Sequence, residues 1–460
     1  MSKNIFGRSL LAATAIGLGL AAAPASAGLF NPETFVLDNG MRVIVVTNRR
    51  APVVSHWVWY MVGGADSPVG KSGLPHYLEH LMFKGTETIP PGEFSKIVAR
   101  NGGSDNAQTS PDYTAYFQNI ARDRLEMVME MEADRMTNLV MSEEQAIAER
   151  SVIIEERQSR VDNDPGARLG EQMNAVQYLN HPYQDPIIGW RHEIESYTRE
   201  DALAFYDEWY APNNAVLIVA GDVDMAELRP LAERIYGAIP AREVRTRQRV
   251  DEPPQEAPRQ VTLADPRVVQ PSFIRSYLAP SQRQIGWQKA MAMDLFAEVL
   301  GGGNTSRLYR ELVVDKAMAT GAGSFYRGSS FDETTFRIYA SPRAGGDLGE
   351  LEQAVDEVLD RALKEGVTEE EVERIKKRLR ASAIYARDSL SGSIRVIGRA
   401  LAAGLEIEDV EEWPERLEKI TADMVNETAR ELIQPGASVT GYLKTAEAPA
   451  NGVEAHGEEG

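Results

Sequence analysis

Two histidines and a glutamate lie close together in the pattern His76-x-x-Glu79-His80. If this stretch is helical, His76 and His80 occupy positions i and i+4 on one face, close enough for two imidazoles to hold a single cation. At roughly 100° per residue, Glu79 falls beside the pair, and all three side chains lie within an arc of about 100°. The pattern therefore indicates a helix that could bind a metal ion and carry a general base.

Zinc is the metal that suits these residue types. Zn²⁺ binds neutral imidazole readily, and a catalytic zinc site has three protein ligands and a fourth position for water. The metal lowers the pKa of that water from about 15.7 to ~7, and a neighbouring carboxylate, here Glu79, accepts the proton. The order of the residues is the reverse of the His-Glu-x-x-His zinc motif. The alternative is a helix whose histidines are only exposed or packed in the core, because such short patterns also occur by chance.

A third ligand must be histidine or carboxylate, because the chain contains no cysteine. A predicted helix that opens with the capping-box pattern Ser142-x-x-Gln145 contains Glu149 and Glu156. Seven residues turn a helix by about 700°, so these two glutamates share a face while Glu155 points elsewhere. One of them could be the third ligand and the other a supporting hydrogen-bond partner. A solvated acidic stripe is the alternative, and the spacing alone does not choose.

Residues 1–27 are predicted to be a secretory signal peptide. Lys3 and Arg8 precede an apolar run over 10–23, and the small residues Ala25-Ser26-Ala27 follow, so cleavage is expected after Ala27. The run is shorter than the ~20 residues of a membrane span, and no later segment reaches that length. We therefore expect a periplasmic protein without a membrane span.

The acidic composition excludes some classes of partner. The formal net charge is -20, and removal of Lys3 and Arg8 with the signal peptide makes it -22. Such a charge disfavours binding to nucleic acid or to an anionic membrane.

The mature chain reads as two α+β units in tandem. The segment 197–219, a helix followed by an apolar strand, is echoed by 420–443. We predict two homologous α+β domains, each a mostly antiparallel sheet with helices packed on it. The predicted boundaries are a metal-binding domain over 28–238, a linker with four prolines over 239–258, a second domain without a metal site over 259–445, and an acidic disordered tail over 446–460.

Three stretches taken together resemble the pitrilysin/insulysin family of inverted-motif zinc peptidases, and within it the processing-peptidase-like subunits. They are Gly73-Leu74-x-His76-x-x-Glu79-His80-Leu81-x-Phe83-Lys84-Gly85-Thr86, Asn106-Ala107-x-Thr109-Ser110-x-x-x-Thr114-x-Tyr116, and the acidic segment 149–156. The resemblance covers nearly the whole mature chain.

The resemblance implies a role for each matching residue. It implies one zinc ion per chain held by His76, His80 and Glu156, with Glu79 as the catalytic base and Glu149 as the supporting acidic residue.

The resemblance also implies how substrate binds. Asn106 and Ala107 match an edge strand that takes substrate as an added β-strand, a mode in which backbone hydrogen bonds supply affinity. In this family, two such subunits close around a clam-shell chamber that admits peptides or unfolded polypeptide.

The chain departs from the family at two positions. Complete relatives carry an Arg and a Tyr, seven residues apart, that bind the substrate backbone and the oxyanion; here those positions hold Val313 and Thr320. Loss of oxyanion donors typically costs about 10²- to 10³-fold in rate. We therefore expect a heterodimer whose partner supplies the Arg/Tyr pair. The alternative is a homodimer in which Arg310, Tyr326 or Arg327 substitutes.

A second function, from another class, is that of a non-catalytic core or assembly subunit. Subunits of that kind usually lose the ligands or the base. This chain retains His76, Glu79, His80 and Glu156.

Overall fold

The first half of the chain forms one six-stranded sheet. In the computed structural model, which describes residues 28–446, the strand order is β1-β2-β6-β3-β5-β4. All pairs are antiparallel except β2 with β6. The strands are β1 (Glu33–Val36), β2 (Arg42–Thr47), β3 (Val53–Tyr60), β4 (Ser104–Thr109), β5 (Thr114–Ala121) and β6 (Ala215–Gly221).

Eight helices accompany this sheet among the residues that the structure describes. They are α1 (Leu74–Leu81), α2 (Glu93–Arg100), α3 (Leu125–Thr137), α4 (Glu143–Arg157), α5 (Pro165–Gln177), α6 (Arg191–Ile194), α7 (Arg199–Trp209) and α8 (Met225–Ile235). The chain continues from α4 through a π-helical turn at Gln158–Asp162. Buried side chains of α1, α3, α7 and α8 form one core with the inner face of the sheet.

The second half repeats this topology. Its strands are β7 (Arg259–Asp265), β8 (Ser272–Ala279), β9 (Ala319–Tyr326), β10 (Thr334–Pro342) and β11 (Ser438–Thr445), in the order β7-β11-β8-β10-β9. Its helices are α9 (Gln282–Gly301), α10 (Leu348–Glu365), α11 (Glu369–Asp388), α12 (Gly392–Ala402), α13 (Ile407–Glu411), α14 (Trp413–Glu418) and α15 (Ala422–Leu432). Strands β2, β6, β3, β5 and β4 correspond in position to β7, β11, β8, β10 and β9. The α+β, two-domain fold class is therefore confirmed.

Each sheet has one face covered by a helix from the other half. Ile394 and Ile397 of α12 pack against Trp59 and Ile218 of the first sheet. The approach is so close that a Cβ on Gly398 would lie 2.3 Å from the Trp59 ring. In return, α5 lies across the second sheet, where Leu169 and Met173 pack with Val439. The two halves are thus joined by an exchange of helices, which chain order does not reveal.

The segment between the halves has no regular secondary structure and is bound to the first half by hydrogen bonds. No helix or strand is described over 240–258. Arg247 donates to the carbonyl oxygens of Met61 and Asp112, at 2.9 and 2.7 Å. The linker and its boundaries remain a prediction.

The predicted signal peptide and residues 447–460 lie outside the described residues. None of the helices between residues 28 and 446 has both the length and the apolar composition that a membrane crossing requires.

Candidate metal centre

Helix α1 carries the His76-x-x-Glu79-His80 pattern, as predicted. It begins after Gly73, whose φ of 81° is the left-handed conformation that glycine adopts at little cost. A Cβ there would lie 2.5 Å from the backbone nitrogen of Gly189. Pro75 occupies the first turn, where its missing N–H leaves no bond unmade. The start of this helix is therefore defined by its own sequence.

Buried contacts hold α1 against the helix that supplies the acidic residues. The Tyr77 hydroxyl donates to the carbonyl oxygen of Ala146 in α4, at 2.6 Å. Leu78 and Leu81 are fully buried in the core of the first half. This packing leaves the opposite face of α1, with its two imidazoles, turned towards a cavity.

His76, His80 and Glu156 converge at one point. The Oε2 atom of Glu156 lies 3.3 Å from Nε2 of His80 and 3.7 Å from Nε2 of His76. One possible ligand atom from each residue lies within 4.8 Å of the other two. The sequence left Glu149 and Glu156 as alternatives for this position, and the structure places Glu156 there.

The hydrogen bonding of these residues fits a divalent cation. Oε2 of Glu156 is buried and accepts no hydrogen bond, an arrangement that costs free energy unless a positive charge faces the oxygen. Two imidazoles and one carboxylate supply three ligands and leave a fourth position, as catalytic zinc sites do. The donor set therefore suits Zn²⁺.

Glu149 lies behind His80 and not beside the other ligands. Its Oε1 is 2.8 Å from Nδ1 of His80, and Lys84 forms an ion pair with its other oxygen. A metal-bound histidine commonly donates its second ring N–H to such a carboxylate, which fixes the orientation and tautomer of the ring. Glu149 is thus positioned to orient His80.

Glu79 lies at the edge of the same cavity, held by the end of β4. The Thr109 hydroxyl donates to its Oε2. Burial raises the pKa of Glu79, partly offset by that hydrogen bond. A carboxylate with a raised pKa is better matched to accepting a proton near neutral pH.

The two imidazoles have unlike protonation preferences. Burial, together with the charge of His80, lowers the pKa of His76 to about 4. Burial also lowers the pKa of His80, but its hydrogen bond with Glu149 and the negative charges of Glu149 and Glu156 outweigh this and raise the value to about 9. His76 is therefore neutral, the form that binds a metal, while His80 takes the place of a cation between two carboxylates.

The predicted substrate strand borders the same cavity. Strand β4 is at the edge of its sheet, and within residues 28–446 it pairs with β5 alone. Asn106 and Ala107 line a cavity of about 1010 Å³ together with His76, Glu79, His80 and Glu156. The free edge of β4 and the convergent side chains thus face one space.

Val313 and Thr320 lie in the second half, away from this cavity. Val313 belongs to a π-helical segment, Tyr309–Asp315, and Thr320 is exposed on the edge strand β9. Arg310, Tyr326 and Arg327, the suggested substitutes, do not line the metal cavity either. Within one chain, none of the five is brought to the convergent ligands.

Sequence reasoning gave no role to three residues that contact the site. Thr109 and Lys84 stand in the quoted motifs, but nothing in their spacing indicated a contact with Glu79 or Glu149. Arg160 forms an ion pair with Oε1 of Glu156, at 2.8 Å. It follows Glu156 by four residues, so helical spacing could have suggested that pair.

Comparison with known proteins gives matches over most of the chain. Residues 42–190 match the family model "Insulinase (Peptidase family M16)", and residues 196–379 match "Peptidase M16 inactive domain". The zinc protease PqqE of Helicobacter pylori is 28% identical over 445 residues, which are 96% of this chain and 98% of that protein.

Solved structures share the fold. A protease from Helicobacter pylori superposes with a TM-score of 0.84 at 28% identity, covering 91% of this chain and 100% of that one. The periplasmic protease PqqL from Escherichia coli has a TM-score of 0.76 at 20% identity, covering 91% of this chain but 49% of PqqL. The chain therefore belongs to the insulinase family, peptidase family M16.

Proposed function

We propose that this chain is a zinc-dependent endopeptidase subunit that hydrolyses peptides or unfolded polypeptide segments. The observation that carries the proposal is the convergence of His76, His80 and Glu156 around a buried carboxylate oxygen that accepts no hydrogen bond, with Glu79 in the same cavity. The zinc protease names of relatives support the same chemistry.

Each residue of the site has a part in the proposed reaction. His76, His80 and Glu156 would hold one zinc ion, which supplies a bound water of lowered pKa and polarises the scissile carbonyl. Glu79 accepts the proton of the attacking water and returns it to the leaving amine. Glu149 keeps His80 in the orientation that presents Nε2 to the site.

Substrate is proposed to bind along β4. The unpaired edge can hydrogen-bond the backbone of an extended peptide whatever its side chains. Asn106 and Ala107 would lie opposite the peptide, close to Glu79. Because this mode needs an extended segment, peptides and unfolded chains fit and folded proteins do not.

A partner subunit is proposed to complete the site. Val313 and Thr320 offer neither the guanidinium nor the phenol that would bind an oxyanion. PqqL contains about twice the length of this fold in one chain, which supports an assembly of two such halves. We propose a heterodimer, exported to the periplasm by the signal peptide, whose second subunit carries the Arg/Tyr pair.

Glu79→Gln is the variant that tests the catalytic role. Loss of a general base is expected to lower the rate of peptide hydrolysis about 10²- to 10⁴-fold, while zinc content stays at one ion per chain. Glu143→Gln, at an exposed position of α4 outside the cavity, is the matched control and should keep full activity. An undiminished rate for Glu79→Gln would contradict the proposal.

The partner is tested by assaying the mature chain alone and then with the product of a neighbouring homologous gene. Hydrolysis should rise by about 10²- to 10³-fold with the partner, as expected for oxyanion donors. Full activity of the chain alone would remove the need for a partner. A zinc-loaded chain that stays inactive in both assays would instead support the non-catalytic assembly role.

A further inference from the structure

A second cavity lies between the two halves and adjoins the metal cavity. It has a volume of about 670 Å³, within the usual range for ligand sites. Asn174, Pro186 and Ile187 line both cavities. The turn 110–113, which follows β4, lines the second one. A peptide that lies along β4 and continues past Thr109 would therefore enter this space.

Three arginines converge on this second cavity from separate elements. Arg327 follows β9, Arg337 is in β10 and Arg399 is in α12. None of them forms an ion pair with a carboxylate among residues 28–446. In a chain with a net charge of -20, three unpaired guanidinium groups around one space are not explained by an excess of basic residues.

Arg337 has the least solvation of the three. Its Nη2 donates to Oδ1 of Asn174 at 2.7 Å, and its Nε is buried without a hydrogen-bond partner. Burial, with the nearby charge of Arg327, lowers the pKa of Arg337 to about 10. A desolvated guanidinium without a counter-ion costs free energy, which an entering anion would recover.

The acidic residues of this cavity have other partners. Asp112 accepts hydrogen bonds from the Tyr183 hydroxyl, at 2.7 and 2.8 Å, and lies 3.3 Å from Arg249. Asp185 accepts a hydrogen bond from Nε1 of Trp190 at 3.0 Å. Neither forms an ion pair with Arg327, Arg337 or Arg399, so these guanidinium groups stay available to a ligand.

We propose that the cavity lined by Arg327, Arg337 and Arg399 binds a carboxylate of the substrate peptide. The inference rests on the proposed peptidase function, because it places the peptide along β4. Guanidinium groups bind carboxylates through paired, charge-assisted hydrogen bonds. The carboxylate would belong to the part of the peptide that extends past Thr109, beyond the residues that pair with β4. It could belong to an acidic side chain or to the C-terminus.

The test measures binding without cleavage. The full chain with Glu79→Gln, loaded with zinc, is titrated against twelve-residue peptides of Ala, Ser and Leu that carry a neutral fluorophore. One peptide set carries a single Glu at successive positions, a matched set carries Gln, and each is made with a free or an amidated C-terminus. We expect one Glu position, or the free C-terminus, to bind about tenfold more tightly than its neutral counterpart.

Arginine variants show whether the cavity is responsible. Arg337→Gln should abolish the tenfold preference, whereas Arg310→Gln, at an exposed position outside the cavity, should keep it. Arg327→Gln and Arg399→Gln, both at exposed positions, should each reduce the preference for the charged peptide. They replace Arg337→Gln as the test if that variant does not fold. If the amidated peptide loses the preference, the carboxylate is that of the C-terminus; if the Gln peptide loses it, the carboxylate is that of a side chain.

Either of two results would overturn the inference: equal binding of charged and neutral peptides, or a preference that survives all three arginine variants. Hydrolysis by the wild-type chain with its partner is assayed separately. Failure of the peptidase proposal would therefore be seen as absent cleavage, while failure of this inference would be seen as cleavage or binding without a preference for carboxylates.

Discussion

Glu149→Gln is expected to weaken zinc binding without unfolding the protein. The variant keeps the size of the side chain but removes the charge that faces His80 and Lys84. Oε1 of Glu149 lies 2.8 Å from Nδ1 of His80, and Glu149 is 6% exposed. Because the residue is buried, water cannot readily take over the lost interaction.

The size of the effect follows from the contacts. A hydrogen bond to a charged group contributes about 1.5–3 kcal/mol, and a neutral amide can still accept from one of the two partners. Loss of the charge should then reduce the free energy of zinc binding by about 1.4–2.7 kcal/mol, which corresponds to a 10- to 100-fold higher Kd for zinc. Glu156→Gln, which alters a proposed direct ligand, should cost more than Glu149→Gln.

Zinc affinity is measured by competition with a chelator of known affinity, starting from the metal-free chain. Glu143→Gln serves as the control, because Glu143 is on the same helix but is exposed and lies outside the cavity. Circular dichroism establishes that each variant is folded. An unchanged Kd for Glu149→Gln would refute the supporting role, and a loss as large as that of Glu156→Gln would mean that Glu149 is itself a ligand.

Three further predictions concern stability, measured by urea unfolding. Tyr77→Phe should lower the free energy of unfolding by about 0.5–1.5 kcal/mol, because the buried hydrogen bond from the Tyr77 hydroxyl to the Ala146 carbonyl is lost. Gly398→Ala should lower the free energy of unfolding by about 1–3 kcal/mol, because the added Cβ overpacks Trp59. Gly170→Ala should instead raise the free energy of unfolding by up to about 1 kcal/mol, because Gly170 is in α5 and nothing lies within 4 Å of the added Cβ. Burial raises the pKa of Asp294 from 3.8 to about 7, so wild-type stability falls as pH rises through that window. Asp294→Asn should then be more stable than wild type at pH ~8, by at most about 4 kcal/mol, and should lose that advantage below pH ~4. Equal stability of the two proteins at both pH values would contradict this prediction.

Much of the fold could be predicted from local sequence patterns. Helices α1 and α4 lie where the histidine spacing and the capping box placed them, and the helix–strand pairs α7–β6 and α15–β11 begin within segments 197–219 and 420–443. These signals act over a few neighbouring residues. The echo between segments 197–219 and 420–443 also indicated the two-domain α+β fold before any contact was known.

The site was only partly determined by local patterns. His76, Glu79 and His80 share one short helix, so helical geometry alone puts them together. Glu149 and Glu156 have equivalent spacing on α4. The angle at which α4 packs on α1, set in part by buried Tyr77, decides which of the two faces the imidazoles.

Tertiary structure alone decided the remaining features. The exchange of α5 and α12 between the halves depends on which apolar faces are left uncovered once each sheet has packed on its own helices. The grouping of Arg327, Arg337 and Arg399 in one cavity follows from that exchange, because Arg399 is in α12, the helix that packs on the sheet of the other half. Amino-acid order specifies each of these elements, but contacts between residues so distant in sequence exist only after the two halves have docked.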